Sequence, residues 1–162
     1  MLHLEVFTDG SVNNQLKVGY GAYLVVSEQS VSIDRLKHNV KIKRFVQTSS
    51  TKLELQTLLW ALDEIITLAD ESDITLCIYT DSQNIIGLPG RQSALEQSHF
   101  FTGKNNRLNN YELYQEFYRL TSRIQYKLVK VLGHQVSSNK DETDTLFGLV
   151  DKASRRALRE EF

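Results

Sequence analysis

Four acidic residues of this chain stand where their carboxylates could do chemistry together. Asp9 follows an alternating apolar segment and Asp81 follows a continuous apolar run, so both are expected at the ends of β-strands. Glu54 lies at the edge of the apolar stripe of an amphipathic helix, and Asp151 lies in the last segment with helical character. Ligands of α/β sheets gather at the carboxyl ends of strands. If the strands before Asp9 and Asp81 are parallel neighbours, these two side chains lie side by side and the helix of Glu54 can begin above them.

Carboxylates placed this close together repel one another, so the cluster predicts divalent cations. Two such ions about 4 Å apart can activate a water molecule and stabilise the leaving oxygen of a phosphodiester. A site with only oxygen ligands suits Mg²⁺. Zinc is disfavoured because Cys77 is the only cysteine and the four histidines are scattered along the chain.

Each acid also has a simpler interpretation when it is considered alone. These interpretations are an Asp-Gly turn for Asp9, a capping box with Thr51 for Glu54, a helix N-cap for Asp81 and an i,i+4 ion pair with Arg155 for Asp151. A metal site therefore requires that the four acids meet in the fold.

The acids must be positioned by the helices and strands around them. Along the chain, the patterns indicate three strands at the start, followed by helices that alternate with strands. The patterns predict strands at 2–7, 19–27, 31–47, 74–80 and 125–132, and helices at 53–68, just after 82, at 111–121 and from 143 or later to 161, with 91–109 irregular. The first strand is expected to end in a turn at 8–11. This order predicts an α/β fold whose mixed five-stranded sheet has three antiparallel and two parallel strands, with helices on both faces.

Composition narrows the class of protein. The chain has 162 residues, with 19 Lys and Arg, 20 Asp and Glu and a formal net charge of −1. The length predicts a single domain, residues 1–162, and the near-neutral charge argues against a polycation that binds nucleic acid by bulk charge. One cysteine excludes an internal disulfide framework. No apolar run approaches the roughly 20 residues of a membrane span, so we expect a soluble, cytoplasmic protein.

Seven short motifs carry a resemblance to a known family. They are FTDGS at 7–11, GYGA at 19–22, LEL at 53–55, YTDSQ at 79–83, NYELY at 110–114, GH at 133–134 and LVDKA at 149–153. Together, in this order, they resemble the ribonuclease H family, in its bacterial type I branch. The resemblance covers essentially the whole chain and implies a ribonuclease H-like fold.

The resemblance implies hydrolysis of the RNA strand of RNA/DNA hybrids by two Mg²⁺ ions, for which Mn²⁺ could substitute. The implied metal ligands are Asp9, Glu54, Asp81 and Asp151. His134 would assist proton transfer or product release, as a group that titrates near neutrality can do. Asp144 is a rival for the fourth carboxylate, because Asp151 stands 17 residues after His134. Asp151 is preferred because the KASRRAL that follows it suits a small-residue helix face.

The same resemblance predicts how the hybrid is held. The predicted substrate-binding residues are Gly10, Ser11, Ser50, Thr51, Gln83, Lys104 and Arg107. Ser50 and Thr51 stand where the family commonly has asparagines that contact the minor groove. The segment that matches the family's basic protrusion is only mildly basic, whereas residues 35–44 contain five Lys or Arg and no acid. The hybrid is the expected partner, and the protein is expected to be a monomer without an obligate protein partner.

Three other functions compete with this hypothesis. The first is a non-catalytic domain that binds hybrids or RNA, which has no need to cluster four acids. The second is a nuclease of the same fold that acts on another nucleic acid. The third is part of a sugar-kinase or actin-type ATPase, whose fold needs two such domains and more than 162 residues.

Overall fold

A five-stranded mixed sheet lies at the centre of the fold. The computed structural model of the protein describes residues 2–27, 32–69, 74–103, 105–132 and 141–162. The strands are β1 (Leu2–Asn13), β2 (Val18–Ser27), β3 (Lys41–Val46), β4 (Ile74–Thr80) and β5 (Gln125–Lys130). The helices are α1 (Ile33–Asn39), α2 (Ser50–Leu68), α3 (Gln83–Ile86), α4 (Leu88–Gln97), α5 (Tyr111–Thr121) and α6 (Glu142–Glu161).

The order of the strands across the sheet is β3-β2-β1-β4-β5. β1 pairs antiparallel with β2, and β2 pairs antiparallel with β3, whereas β4 runs parallel to both of its neighbours. This confirms the predicted mixed sheet, and it fulfils the condition that the strands associated with Asp9 and Asp81 are parallel neighbours.

Helices cover both faces of the sheet, as predicted. Adjacent residues of a strand point to opposite faces, and Val6 packs in one core with side chains of α2 and α5. Phe7 packs in a second core with side chains of α6. None of the helices in the described ranges is long and apolar enough to cross a membrane.

The predicted strand at 31–47 is wrong in its first half, which contains α1. Ser32 caps this helix by accepting a hydrogen bond from the backbone N–H of Arg35. Leu36 is the buried residue of α1 and packs on the α6 side of the sheet. The second half is β3, an edge strand with the lysines that discourage strand addition. The predicted order of elements has four helices whereas the described residues form six, so it lacked two, α1 and α4.

The first strand is longer than predicted, and the expected turn at 8–11 is wrong. Residues Asp9 to Asn13 continue the antiparallel ladder with β2, opposite Ala22 to Val18. The chain turns after Asn13, whose side-chain oxygen accepts hydrogen bonds from the backbone N–H groups of Gln15 and Leu16. Asp9 thus lies inside a strand and not in an Asp-Gly turn.

The long helix begins earlier than predicted, and this removes the capping box. Ser49 is the N-cap of α2 and accepts a hydrogen bond from the backbone N–H of Lys52. Glu54 lies in the second turn and does not pair with Thr51 as a capping residue. Its carboxylate is therefore placed for another role.

The other boundaries agree with prediction closely or in part. The structure confirms the predicted bounds of β4 and α5, and β5 and α6 differ from theirs by one or two residues. The segment 91–109 is irregular only after Gln97, because α4 extends into it and begins at Leu88-Pro89.

The start of α2 lies close to the sheet at three glycines, which are Gly10, Gly19 and Gly21. A Cβ at Gly10 would lie 3.0 Å from two side-chain carbons of Leu53, and a Cβ at Gly21 would lie 2.0 Å from Oγ1 of Thr57. Thr57 is fully buried and donates a hydrogen bond to the carbonyl oxygen of Leu53. The absent side chains let the helix settle onto β1 and β2, which brings Glu54 close to the end of the sheet.

Gly21→Ala is expected to lower the free energy of unfolding by about 1–3 kcal/mol, because the new methyl group overlaps Thr57. Gly148→Ala is the matched control. Nothing lies within 4 Å of a Cβ at that position of α6, so the change should raise the free energy of unfolding by about 0.5–1 kcal/mol. Urea unfolding of both variants measures the difference, and equal effects would contradict the close approach of α2.

Candidate metal and nucleic-acid site

Three of the predicted acids meet at one end of the sheet. Asp9, Glu54 and Asp81 each offer a carboxylate oxygen, and these three oxygens lie within 4.8 Å of one another. Their residues come from β1, from α2 and from the position directly after β4. The fold therefore brings together side chains that are far apart in the sequence.

The parallel pairing of β1 and β4 sets the position of the two aspartates. The last pair of that ladder is Phe7 with Tyr79, whose rings stack with their centroids 4.6 Å apart. Continuing the same register by two residues places Asp9 level with Asp81. The ladder between the two strands ends at that pair, so the two aspartates lie two residues beyond a pair of stacked aromatic rings.

Asp9 is the most buried member of the cluster, with 7% of its surface exposed. Burial, together with the negative charges of Asp81 and Asp151, raises the pKa of its carboxyl from 3.8 to about 8, and burial is the largest cause. The backbone N–H of Gly10 donates a hydrogen bond to Asp9 and opposes part of this shift. Without a cation, the neutral form of Asp9 is favoured at neutral pH.

Glu54 is held by a residue that the sequence analysis did not single out. Its pKa is raised mainly by burial and also by the charge of Asp81, while a hydrogen bond with the side chain of Ser82 lowers it. Ser82 is buried and caps α3 by accepting a hydrogen bond from the backbone N–H of Ile85. The N-cap is thus Ser82, and the N-cap interpretation of Asp81 is wrong. The preference of serine for N-caps was the available signal.

Asp151 joins the cluster from α6, where its side chain hydrogen-bonds that of Asp9. The ion pair with Arg155 is also present, with 2.7 Å between Nη2 of Arg155 and Oδ2 of Asp151. The side chain of Asp151 therefore both pairs with Arg155 on its own helix and belongs to the acid cluster.

The rival acid, Asp144, has a different place. It forms a capping box with Asp141 at the start of α6, in which each side chain accepts a hydrogen bond from the other residue's backbone N–H. It lies two turns before Asp151, which is about 10 Å along the helix. Asp144 is therefore engaged in starting α6.

The predicted groove-contact residues lie on the elements that carry the acids. Ser50 and Thr51 are exposed at the start of α2, and Gln83 is exposed at the start of α3. The side-chain oxygen of Gln83 accepts a hydrogen bond from Nζ of Lys130, at 2.7 Å. Gly10 and Ser11 follow Asp9 in β1, where Gly10 packs against Leu53.

Arg107 stacks on aromatic rings between α4 and α5. Its guanidinium carbon lies 5.0 Å from the ring centre of Phe101 and 4.8 Å from that of Tyr111. Phe101 is 42% exposed, whereas Phe100 is buried in the core. The two phenylalanines thus differ, and the exposed one belongs to a cation–aromatic cluster at the surface. Lys104 and His134 lie outside the described residues.

The chemistry of the cluster fits a divalent cation. Asp9, Glu54 and Asp81 supply only carboxylate oxygens, the ligands that Mg²⁺ and Mn²⁺ prefer. The burial and mutual repulsion that raise the pKa of Asp9 are relieved by a positive charge. These residues are therefore suited to bind metal ions.

Comparison with known proteins decides the family. The family model for RNase H matches residues 2–150. The chain belongs to the RNase H family. No curated protein matches the sequence.

Solved RNase H structures share this fold at low sequence identity. LC9-RNase H1, described as a type 1 RNase H with the type 2 active-site motif, is 15% identical, with a TM-score of 0.70 over 97% of this chain and 72% of that one. RNase H1 from the halophilic archaeon Halobacterium salinarum NRC-1 is 11% identical, with a TM-score of 0.63 and 98% of both chains covered. LC11-RNase H1, solved in complex with an RNA/DNA hybrid, is 14% identical, with a TM-score of 0.61 over 96% of this chain and 99% of that one.

Asp9→Asn is expected to stabilise this RNase H in the presence of a chelator, and the gain should grow with pH. Between pH 3.8 and about 8 the folded wild-type protein retains a proton that the unfolded chain has lost, so its stability falls as pH rises through that window. Asparagine has no such loss. Urea unfolding in EDTA should show a gain that is smallest at pH 4 and reaches about 2–4 kcal/mol at pH 8.

Two further measurements complete that test. Mg²⁺ should raise the unfolding midpoint of the wild-type protein more than that of Asp9→Asn, because a ligand that binds only the folded state stabilises it. A stability gain that does not change with pH would contradict the raised pKa of Asp9.

Proposed function

We propose that this member of the RNase H family is a metal-dependent endoribonuclease that hydrolyses the RNA strand of RNA/DNA hybrids. The observation that carries the proposal is the meeting of Asp9, Glu54 and Asp81 at the end of the sheet. Family membership supports the nuclease chemistry. The complex of LC11-RNase H1 with an RNA/DNA hybrid supports the choice of substrate.

In this proposal the acids hold two divalent cations, which are Mg²⁺ with Mn²⁺ as a substitute. The ligands are Asp9, Glu54, Asp81 and Asp151. When bound, the cations supply an activated water molecule and stabilise the charge on the phosphodiester.

The protein's own residues fix the orientation of these ligands. Ser82 holds Glu54 through a hydrogen bond, and Arg155 holds one oxygen of Asp151. Asp9 has the least freedom, because it is buried and hydrogen-bonded to the backbone N–H of Gly10. Its link to Asp151 supports that residue as the fourth acid.

The hybrid is proposed to lie across the starts of α2 and α3. Hydroxyls of Ser50 and Thr51 and the amide of Gln83 can donate to or accept from the 2′-OH groups and base edges of a minor groove. Gly10 and Ser11 would approach the substrate beside Asp9. Arg107 and Lys104 would contact the backbone of the DNA strand, and His134 would assist proton transfer or product release.

The competing proposals are a hybrid-binding domain without activity and a nuclease of this fold with another nucleic-acid substrate. A pure binding domain gains nothing from acids that disfavour one another's charged forms, as the raised pKa of Asp9 shows they do. The bacterial type I branch, the single domain at 1–162, the monomeric state and the cytoplasmic location stay predictions.

Cleavage confined to the RNA strand of a labelled hybrid is the expected result of a substrate panel. The panel also contains double-stranded RNA, double-stranded DNA and single-stranded RNA, each with Mg²⁺, with Mn²⁺ and with EDTA. Products should carry 5′-phosphate and 3′-hydroxyl ends. No cleavage of any substrate in either metal would refute the enzyme, and cleavage of double-stranded RNA alone would favour the second competing proposal.

Asp9→Asn, Glu54→Gln and Asp81→Asn are each expected to lower kcat by about a thousandfold or more, because each removes a ligand charge. Asp151→Asn should also reduce kcat strongly. Asp144→Asn is the matched control on the same helix and should leave kcat within about twofold and the free energy of unfolding within about 0.5 kcal/mol, because Asp141 remains the N-cap and asparagine keeps an accepting oxygen. The reverse ranking of these last two variants would make Asp144 the fourth ligand.

His134→Ala should slow turnover without abolishing it, because a proton-transfer group contributes only part of the rate. Initial rates measured across pH 6–9 would show the change. Complete loss of activity in this variant would mean that the proposed role is wrong.

A further inference from the structure

We propose that Lys130 is a positioning residue that orients the side-chain amide of Gln83 toward the substrate. The inference rests on the proposed function, since it assigns how the enzyme holds the minor groove of the hybrid. It concerns a lysine that no motif of the sequence analysis includes.

Lys130 lies directly beside the acid cluster in the sheet. It is the last residue of β5 and pairs with Thr80, the residue that precedes Asp81. Gln83 is the first residue of α3, which packs near β5. Nζ of Lys130 donates to the side-chain oxygen of Gln83 at 2.7 Å, a normal hydrogen-bond length.

The chemistry of the two side chains fixes which way the amide points. A lysine ammonium has three donors and no acceptor, so it binds only the oxygen of an amide. The NH₂ group of Gln83 is then directed away from Lys130. Without the lysine, the amide is free to rotate and offers the substrate an oxygen as readily as a nitrogen.

A donor in this place suits the minor groove of a hybrid. Base edges there present acceptors in every sequence, and the RNA strand adds 2′-OH oxygens. An amide oxygen facing the same acceptors would meet lone pairs and would repel them. Lys130 therefore sets the polarity of the contact, and the contact does not depend on base sequence.

A second lysine of the same strand supplies the control. Lys127 pairs with Cys77 and, three residues before Lys130, points to the opposite face of the sheet. It lines a cleft with His3 and Gln125. Lys127→Met removes the same charge from β5 without touching Gln83.

The test is a double-mutant cycle on hybrid cleavage and hybrid binding. Lys130→Met is expected to raise KM about three- to tenfold with kcat within twofold, because it loosens one hydrogen-bonded contact with the substrate. Gln83→Leu should have the same effect, and the double variant should be no worse than Gln83→Leu alone. Lys130→Arg should restore KM, and Lys127→Met should leave it unchanged. Thermal melts check that every variant folds.

Three results would overturn the inference. They are an unchanged KM in Lys130→Met, additive effects in the double variant, or a fall of about one in the slope of log Kd against log salt for Lys130→Met alone. Additive effects would show that Lys130 acts independently of Gln83, and the smaller salt slope would show that the lysine contacts a phosphate directly.

Fluorescence anisotropy of a labelled hybrid in EDTA separates this inference from the proposed function. If the wild-type protein binds the hybrid in EDTA but does not cleave it in Mg²⁺ or Mn²⁺, the proposed nuclease activity fails, while the Kd values of the same variants still test Lys130. If the wild-type protein cleaves the hybrid and the cycle is additive, the positioning role alone fails.

Discussion

Asp9 is buried next to other carboxylates, which makes its charged form unfavourable. The elements around it are arranged so that this buried acid has its neighbours. The neighbouring acids come from three different parts of the chain, so the unfavourable arrangement is maintained by the packing of the whole fold and not by one loop. The sheet register brings Asp81 alongside, the close approach of α2 brings Glu54, and α6 brings Asp151. Positive charge supplied from outside turns the same arrangement from a destabilising one into a binding site.

Three supporting contacts each hold one acid of the cluster. Ser82 does this for Glu54, Arg155 for Asp151, and the backbone N–H of Gly10 for Asp9. Ser82 has a short side chain that is also fixed as the N-cap of α3. Arg155 lies one helical turn from Asp151, on the same helix. Such contacts fix the proposed ligands before any substrate arrives, which is what preorganised electrostatic catalysis requires.

The sequence predicted the helices and strands whose apolar residues follow one clear pattern. It missed those whose apolar residues are few or follow no single pattern. Residues 74–80 form an apolar run and residues 111–121 have a clear helical stripe, and the structure gives both the predicted bounds. Residues 33–39 have only one buried side chain, so α1 leaves little signal. The extension of β1 past Asp9 depends on pairing with β2, which no local pattern reveals.

The same limits apply to the site. The types of the acids, and the expected places of Asp9 and Asp81 at the ends of two strands, predicted that they meet, because parallel strands end at a common edge. The roles of Ser82 and Lys130 depend on which side chains of separate elements come within hydrogen-bond distance, and that is a property of the assembled fold.

The close packing of α2 against Gly10 and Gly21 has a consequence for how the sequence of such a protein can change in evolution. Leu53 and Thr57, which lie on either side of Glu54 in the sequence, make these contacts. Substitutions that change this packing therefore also move the carboxylate of Glu54. The lineage therefore has little freedom to remodel this part of its interior without also altering its chemistry.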